Sequence, residues 1–539
     1  MLRPHAVFVW LALVASLGQA QDLLAALDYG TFRGAYSEVY NISYWQKIPF
    51  AAPPVGKNRF RAPQPPLPII DGVYDSSQTF DMCPQRTVNG SEDCLYLGLY
   101  SRPWTRGQPL RPVVVTFYGG GFIQGSASFK PPPSAYPILN VSSTTDLVFV
   151  YPNYRTNAFG FLAGREVAAD PRSDANAGLL DQDAALRWVR RHIAAFGGDP
   201  DRVTVWGQSA GGGSVIAQVV AQSGRVAAKG AGSKYGHHRP LFRRALASSP
   251  FWPKTYRYDH PEVQWRYDTL ANLTGCGAGR GSLACLKAAD VQAIRDASLV
   301  VVDARKYETT TFGWGPVIDG SFLRELLSEV SAGGLLRIEH GFAMYNTHEG
   351  EGFTPGSLSM GGDDDFDEWL AGYLPGLTED DLARLREAYP AEGSAELIEH
   401  YDDPRTRAGL VYRDSVLACP AYWMAGGARE GRWLGEYTIP PAAHASDVYW
   451  WNTINNAQKT DRLHYEGYAG AMASFFMTGD PNALKLTADD VPGVPSLDSG
   501  EEFVVNSEGF TSAKLIQFEE RWTSYIIKKA NKLMTTYLS

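Results

Sequence analysis

The stretch Val203-Thr-Val-Trp-Gly-Gln-Ser-Ala-Gly-Gly-Gly-Ser214 constrains the fold of this chain more than any other. Val203, Val205 and Trp206 suit a buried strand, Gly207 and Gly211 bracket Ser209, and residues 215–220 continue as a helix face. Strand, tight turn and helix supply the context that a G-x-S-x-G nucleophile elbow requires. A serine on such a strained turn crowds its neighbours, so a side chain at Gly207 or Gly211 would collide with the turn, and Ser209 is lifted toward solvent at a helix N-terminus. The plain alternative is a glycine-rich turn with an incidental serine, and the rest of the chain decides between them.

Upstream, Ser91-Glu-Asp-Cys-Leu-Tyr-Leu-Gly-Leu-Tyr100 reads as an alternating strand, and Pro112-Val-Val-Val-Thr-Phe117 as a continuous apolar, central one. The latter runs into Tyr118-Gly-Gly-Gly-Phe122. Glycines after a buried strand let several N–H groups face one point, which an acyl-transfer enzyme uses as an oxyanion hole; a flexible loop tip is the alternative. Asp146-Leu-Val-Phe-Val-Tyr151 is a further buried strand, and residues 184–196 form a helix with Leu186, Val189 and Ile193 on one face. Strand, helix, strand, elbow, helix is the order of an α/β protein with a large, mainly parallel sheet covered on both faces.

The first 20 residues end in Gly18-Gln-Ala20 after an apolar segment from Ala6 to Leu17, the pattern of a signal peptide. That apolar run is shorter than the roughly 20 residues a membrane anchor needs, so a secreted, extracellular chain of residues 21–539 is expected. Four Asn-x-Ser/Thr sequons, at Asn41, Asn89, Asn140 and Asn272, are candidate glycosylation sites on that route. A hydrophobic content of 44% over 539 residues permits a large core, and the absence of a spacer, repeat or heptad run favours a single domain over 21–539. A net charge of −9 without basic clusters provides no footprint for nucleic acid or an anionic membrane. Five cysteines in a secreted chain read as two short-range bridges, Cys83 with Cys94 and Cys276 with Cys285, with Cys419 left as a buried thiol. No Cys/His spacing matches a zinc site, and no metal is expected.

These stretches together resemble the type-B carboxylesterases of the α/β-hydrolase superfamily, the group that includes cholinesterases and certain fungal lipases. The matching segments are Glu92-Asp-Cys-Leu-Tyr-Leu97, Tyr118-Gly-Gly-Gly-Phe122, residues 176–182, Phe196-Gly-Gly-Asp-Pro200 and Gly207-Gln-Ser-Ala-Gly-Gly212. Gly315-Pro-Val-Ile-Asp-Gly320, Asn346-Thr-His-Glu-Gly350 and Thr478-Gly-Asp-Pro-Asn482 extend the match over almost the whole mature chain.

A serine hydroxyl needs a histidine to take its proton and an acid to orient that histidine, and in α/β-hydrolases the order along the chain is Ser, acid, His. The resemblance places the acid at Glu349, at a strand end leading into a glycine-rich loop; Glu351 is its local rival, and Asp319 falls in a turn that the resemblance makes structural. Downstream of Glu349 lie only His400, His444 and His464. His400 and His464 read as helix-surface residues, whereas His444 sits in the small-residue loop Pro440-Pro-Ala-Ala-His-Ala-Ser-Asp447, which resembles the family's His-x-x-Asp loop. Ser209, Glu349 and His444 are the expected triad, Gly120, Gly121 and Ala210 the oxyanion donors, and the chemistry requires no cofactor.

The sequence departs from that pattern in ways that bear on substrate. Gln208 stands where a glutamate usually precedes the nucleophile, removing an anion that would favour a cationic choline ester. Only ten residues separate Cys83 from Cys94, too few for the long lid or choline-site loop of the relatives. The stretch Ser248-Ser-Pro-Phe-Trp-Pro253 sits where relatives shape the acyl pocket, so Phe251 is a wall candidate, with Phe122, Gln208 and Trp314 as further ones. Gly98 replaces a polar residue, and residues 224–239, with His237 and His238 as a conceivable metal pair, read as a surface loop. The expectation is a carboxylesterase for short- to medium-chain or aromatic esters. A lipase of the same family is the alternative, and a cholinesterase or a non-catalytic neuroligin-like protein are weaker ones.

Overall fold

A computed structural model of the chain describes residues 23–223, 240–304, 312–375, 377–391 and 403–515. Residues 1–20, expected to be a signal peptide, the 224–239 stretch with His237 and His238, and His400 lie outside the described residues.

In chain order the strands are β1 (Leu24–Leu27), β2 (Gly30–Arg33), β3 (Ala35–Ser37), β4 (Ile42–Pro49), β5 (Val73–Asp75), β6 (Tyr96–Ser101) and β7 (Arg111–Phe117). They continue with β8 (Val148–Pro152), β9 (Gly198–Gln208), β10 (Arg244–Ser248), β11 (His340–Asn346), β12 (Gly431–Tyr437), β13 (Glu501–Asn506) and β14 (Gly509–Lys514). Eleven of them form one sheet in the order β14-β13-β12-β11-β10-β9-β7-β8-β6-β4-β3, while β1, β2 and β5 form a small separate sheet. The pairings from β13 through β8 are all parallel, and the antiparallel pairings lie toward the two edges.

The reason for this sheet is visible in its central strands, which are apolar on both faces. Val113, Val115, Val203 and Val205 point into one core, with the helices Ala177–His192 and Ala210–Gln222, while Val114, Trp206 and Phe149 point into a second core with the helix Gly470–Thr478. Each fully buried valine contributes on the order of 1.5–3 kcal/mol relative to an exposed one. Two bidentate ion pairs explain why charged residues occur inside otherwise apolar surroundings. Arg59 grips Glu92 through Nε (2.7 Å) and Nη2 (2.6 Å), and Arg155 grips Asp181 through Nε (2.8 Å) and Nη2 (2.7 Å), all four side chains being buried.

Three expectations need correction. The strand expected at 91–100 begins only at Tyr96 and is buried on both faces rather than alternating, because Glu92 is held by Arg59 and Cys94 by its bridge. The helix expected from 184 starts at Ala177, with Asn176 in the left-handed region (φ 56°) at its head. His464 is not on a surface: it is buried, between Asp461 Oδ2 (2.8 Å from Nδ1) and the Asn506 carbonyl (2.7 Å from Nε2). The cysteine pairing holds as expected, with Cys83–Cys94 and Cys276–Cys285 bridged and Cys419 fully buried outside both bridges. All four sequon asparagines are exposed. Gly98 acquires an account: a Cβ there would stand 2.6 Å from the Phe129 ring, so glycine lets that ring lie against β6.

Candidate active site

The loops that follow β7, β9, β11 and β12 all leave the sheet at the carboxyl ends of its parallel strands, where open α/β sheets place their ligands. At the end of β9, Ser209 adopts φ 58° and ψ −127°, a conformation that costs a non-glycine residue of order 1–3 kcal/mol. It persists because the backbone on both sides is tied down. Ser209 N–H donates to the Ser248 carbonyl (3.0 Å), and the Ser209 carbonyl accepts from Gly213 (2.9 Å) and Phe251 (2.8 Å). The flanking glycines are obligatory: a Cβ at Gly207 would lie 2.3 Å from the Gly211 carbonyl carbon, and one at Gly211 2.0 Å from the Phe117 oxygen.

The structure brings Ser209, His444 and Glu349 together from three different loops. His444 Nε2 lies 2.8 Å from Ser209 Oγ, and His444 Nδ1 lies 2.9 Å from Glu349 Oε2. A carboxylate only accepts, so Nδ1 carries the ring proton and Nε2 is left to accept from the serine hydroxyl. Glu349 is fully buried while His444 keeps 18% of its side-chain exposure, a hydrogen-bonded pair shielded on the acid side and open on the other. The loops of the acid and the histidine are cross-tied: Asn346 Nδ2 donates to the Ala443 carbonyl (2.8 Å) and His348 N–H to the Ala442 carbonyl (2.9 Å). The rival acid Glu351 is instead paired with His348 Nδ1 at 2.9 Å, and Asp319 accepts the N–H groups of Ser321, Phe322 and Leu323 in a turn.

Next to the serine, Gly120 (φ 107°), Gly121 (φ 64°) and Phe122 (φ 62°) curl the glycine loop through the left-handed region. The Gly120 carbonyl turns back to accept from Ile123 and Gln124, which directs the N–H of Gly121, in the same peptide unit, the other way. Among the described residues the N–H groups of Gly120, Gly121 and Ala210 have no acceptor, so three donors are available beside Ser209. The loop is held close: a Cβ on Gly119 would stand 3.0 Å from Ser209 Cβ and 3.3 Å from Gln208 Oε1. Its stem is anchored by Tyr118 and Tyr154, whose rings stack at 4.1 Å and whose hydroxyls each bond the other's backbone carbonyl.

The wall is aromatic. Phe251 lies 6.2 Å from Phe122, 5.6 Å from Phe312 and 5.8 Å from Phe353, and Phe353 stands edge-on to the His444 ring at 5.2 Å. Phe312 and Phe353 were not singled out from sequence. Phe353 closes the glycine-rich run after Glu349, which is the one signal that marks it; Phe312 carries none. Trp314 is buried with its indole N–H given to the Ser298 carbonyl (3.1 Å), the arrangement of a packing residue behind the wall. The Gln208 Nε2 is buried without a hydrogen-bond partner in the protein. The short Cys83–Cys94 loop is pinned down, with Arg295 donating to the carbonyls of Gln85, Arg86 and Val88 and Gln85 Nε2 to that of Gly125. One cluster with metal-ligand chemistry, Glu339, His340 and Glu430, lies at the start of β11 and β12, the opposite end of these strands from Glu349, and Glu339 is already paired with Arg243. Among the described residues no helix is long and apolar enough to cross a membrane.

The chain is similar to known proteins over most of its length. The chain is 30% identical over 532 residues to Lipase 5 of Diutina rugosa, covering 92% of this chain and 93% of that one. It is 28% identical over 463 residues to carboxylesterase patB of Aspergillus clavatus, covering 82% and 77%. The crystal structure of Aspergillus niger EstA superposes with a TM-score of 0.79 at 23% identity, over 95% of this chain and 99% of that one, which establishes the fold. With the sequence profile of the carboxylesterase family matching residues 21–489, the chain belongs to that family, the α/β-hydrolases that cleave carboxylic esters.

Proposed function

We propose that this protein is a secreted serine carboxylesterase acting through a Ser209–His444–Glu349 triad and an acyl-enzyme. The observation that carries the reading is His444, bridged at 2.8 Å to Ser209 Oγ and at 2.9 Å to a fully buried Glu349. In this reading His444 takes the Ser209 proton as Oγ attacks the ester carbonyl, and the amides of Gly120, Gly121 and Ala210 hold the oxyanion, each such donor contributing about 3–4 kcal/mol. His444 then protonates the leaving alcohol, and a water attacks the acyl-enzyme by the same route. Glu349 fixes the imidazole tautomer and stabilises the imidazolium.

The substrate follows from the wall and the rim. Phe251, Phe312 and Phe353 offer a compact apolar surface suited to short- to medium-chain or aromatic acyl groups, and a pinned ten-residue cysteine loop offers no long lid. Gln208, neutral beside the nucleophile, disfavours a choline ester. The two bridges support an oxidising, extracellular setting after removal of residues 1–20, with 21–539 as one domain. A lipase is the second reading, favoured by the identity to Lipase 5 over nearly the whole chain. Hydrolysis of p-nitrophenyl esters from acetyl to palmitoyl, with Ser209→Ala as control, tests both. Activity falling off with chain length is expected. Full activity in Ser209→Ala would refute the mechanism, and a rate jump above the solubility limit of the long esters would favour the lipase.

A further inference from the structure

Directly under the loop that carries Glu349 is a buried polar cluster that the ester chemistry does not use. Thr347, the first residue after β11 and two before Glu349, is gripped at both ends. Its hydroxyl donates to Glu436 Oε1 at 2.8 Å, and its carbonyl accepts from Arg413 Nη1 at 3.2 Å. Its N–H meets the Tyr437 carbonyl at 3.2 Å, so every polar group of the residue is held.

The groups that hold it are themselves fixed. Arg413 is fully buried at the end of the helix Pro404–Arg413, donating through Nε (2.9 Å) and Nη2 (2.8 Å) to Asp414 Oδ1, with its guanidinium 5.4 Å from the Tyr345 ring. Asp414 Oδ2 accepts from the Tyr389 hydroxyl at 2.8 Å. Glu436 Oε1 is 3.7 Å from Arg413 Nη1, and on the next strand Glu502 accepts from the Tyr345 hydroxyl at 3.0 Å. The charged and titratable groups around Glu436 are therefore Arg413 and Asp414 from the helix side, Tyr345 and His348 from β11 and its loop, and Glu502 from β13. Burial, reinforced by Glu436, pushes the Glu502 carboxyl well up, while Arg413 and the Thr347 hydroxyl oppose the effect of burial on Glu436. The same helix presses on the loop one residue past the acid: a Cβ on Gly350 would lie 1.8 Å from the Gly409 carbonyl oxygen.

A buried arginine next to a buried carboxylate brings little net stability, since desolvation offsets most of the attraction. Its use here is geometric. We propose that Arg413 and Glu436 are positioning residues for Glu349, clamping Thr347 so that the loop delivers the carboxylate to His444 Nδ1. The inference rests on the triad reading, in which Glu349 is the acid.

The test removes the clamp at its smallest point. Thr347→Val deletes the hydroxyl at nearly constant shape, Thr347→Ala is the second variant should the valine not fold, and Thr347→Ser restores the donor. A shift of the acid by about 1 Å loses up to ~100-fold in rate, so a fall of at least tenfold in kcat is expected for Val or Ala, with KM within about twofold. Because a less well-placed carboxylate stabilises the imidazolium less, the acid limb of the kcat/KM profile moves to lower pH, and Thr347→Ser returns both to wild type. A wild-type kcat and acid limb in Thr347→Val and Thr347→Ala overturn the proposal, as does a loss of activity that follows the melting temperature with an unmoved acid limb. Glu349→Gln, measured alongside, separates the two readings: full activity there refutes the triad itself, whereas an inactive Glu349→Gln with an unimpaired Thr347→Val refutes only the clamp.

Discussion

Lys254 is the most exposed test of how this core handles charge, although the side chain itself is buried. It follows Phe251-Trp-Pro253 of the aromatic wall and donates through Nζ to the Tyr373 carbonyl at the end of the helix Asp363–Tyr373, 4.5 Å from the Tyr373 ring centre. Burial pulls the ammonium down from an ordinary 10.5 to about 7, with Glu262 opposing and Arg266 adding to the effect. A folded-state value below the unfolded one means that, between about pH 7 and 10.5, the unfolded chain holds a proton that the folded chain has released. Stability contributed by this group therefore rises with pH across that window and is flat below it, by roughly 1.4 kcal/mol per pH unit and roughly 5 kcal/mol in all. Lys254→Met keeps the stem and removes the amine. The difference in unfolding free energy, wild type minus variant, is expected to increase by about 2 kcal/mol from pH 7 to pH 9, and the variant to be the more stable at pH 7 even after losing about 1 kcal/mol of hydrogen bond. For a chain of this length 1 kcal/mol corresponds to roughly 1 °C, so melting curves at one scan rate and several pH values resolve the trend. Other groups titrate in both proteins and cancel in the difference. A difference that stays constant with pH, or falls as pH rises, would refute the reasoning.

Three other perturbations have outcomes fixed by geometry. Gly211→Ala, whose Cβ meets the Phe117 oxygen at 2.0 Å, is expected to cost at least ~3 kcal/mol and abolish esterase activity, whereas Gly320→Ala, with φ 73° but open space around it, costs about 1–2 kcal/mol and leaves activity intact; chemical denaturation and an acetyl ester assay compare them. Replacing both Cys276 and Cys285 by serine opens a loop with a sequence separation of 9, for which chain entropy gives a loss of roughly 2–3 kcal/mol, read as a lower urea midpoint with kcat/KM unchanged. Phe251→Ala opens the wall between Phe122, Phe312 and Phe353 and is expected to raise the ratio of octanoyl to acetyl ester turnover; an unchanged ratio would place the acyl group elsewhere.

Where a position admits a single residue type for steric reasons, the sequence is legible. Gly207, Gly211 and the Gly119–Gly121 loop are such places, and they mark the turn that carries Ser209 and the loop whose amides face it. Order along the chain narrowed the histidine to His400, His444 and His464, the resemblance of the 440–447 loop singled out His444, and the central strands were legible by their unbroken apolar runs. What escaped was set by distant packing. Asp461-Arg-Leu-His464 reads as a helix surface, but the β13–β14 hairpin folds over it and lays Phe510 5.6 Å from the His464 ring. Glu92 inside an apparent strand, Lys254 after an aromatic wall, and Arg413 beside Asp414 all look like surface charge until their partners arrive from 33, 119 and 66 residues away. Pattern reading assigns burial from a residue's neighbours in sequence, and these residues are buried by neighbours in space.

The same distinction explains how the site tolerates strain. Ser209 sits at φ 58°, and the non-glycine residues Phe122, Ala442 and Ala445 also have positive φ, so three of the four converging loops carry unfavourable backbone. The bonds that hold them are mostly between main-chain groups: Ser209 to Ser248, Phe251 and Gly213, Asn157 to Phe122, and His348 to Ala442. Such bonds survive most side-chain substitution, which leaves the aromatic wall free to vary while Ser209 stays in place. The acid loop adds side-chain ties to its main-chain ones. Asn346 and Thr347 are fixed through side chains, to Ala443 and Glu436, and Arg413 reaches the Thr347 carbonyl through its own. Glu349 is therefore the member of the proposed triad whose placement is most open to substitution at residues that never touch the substrate.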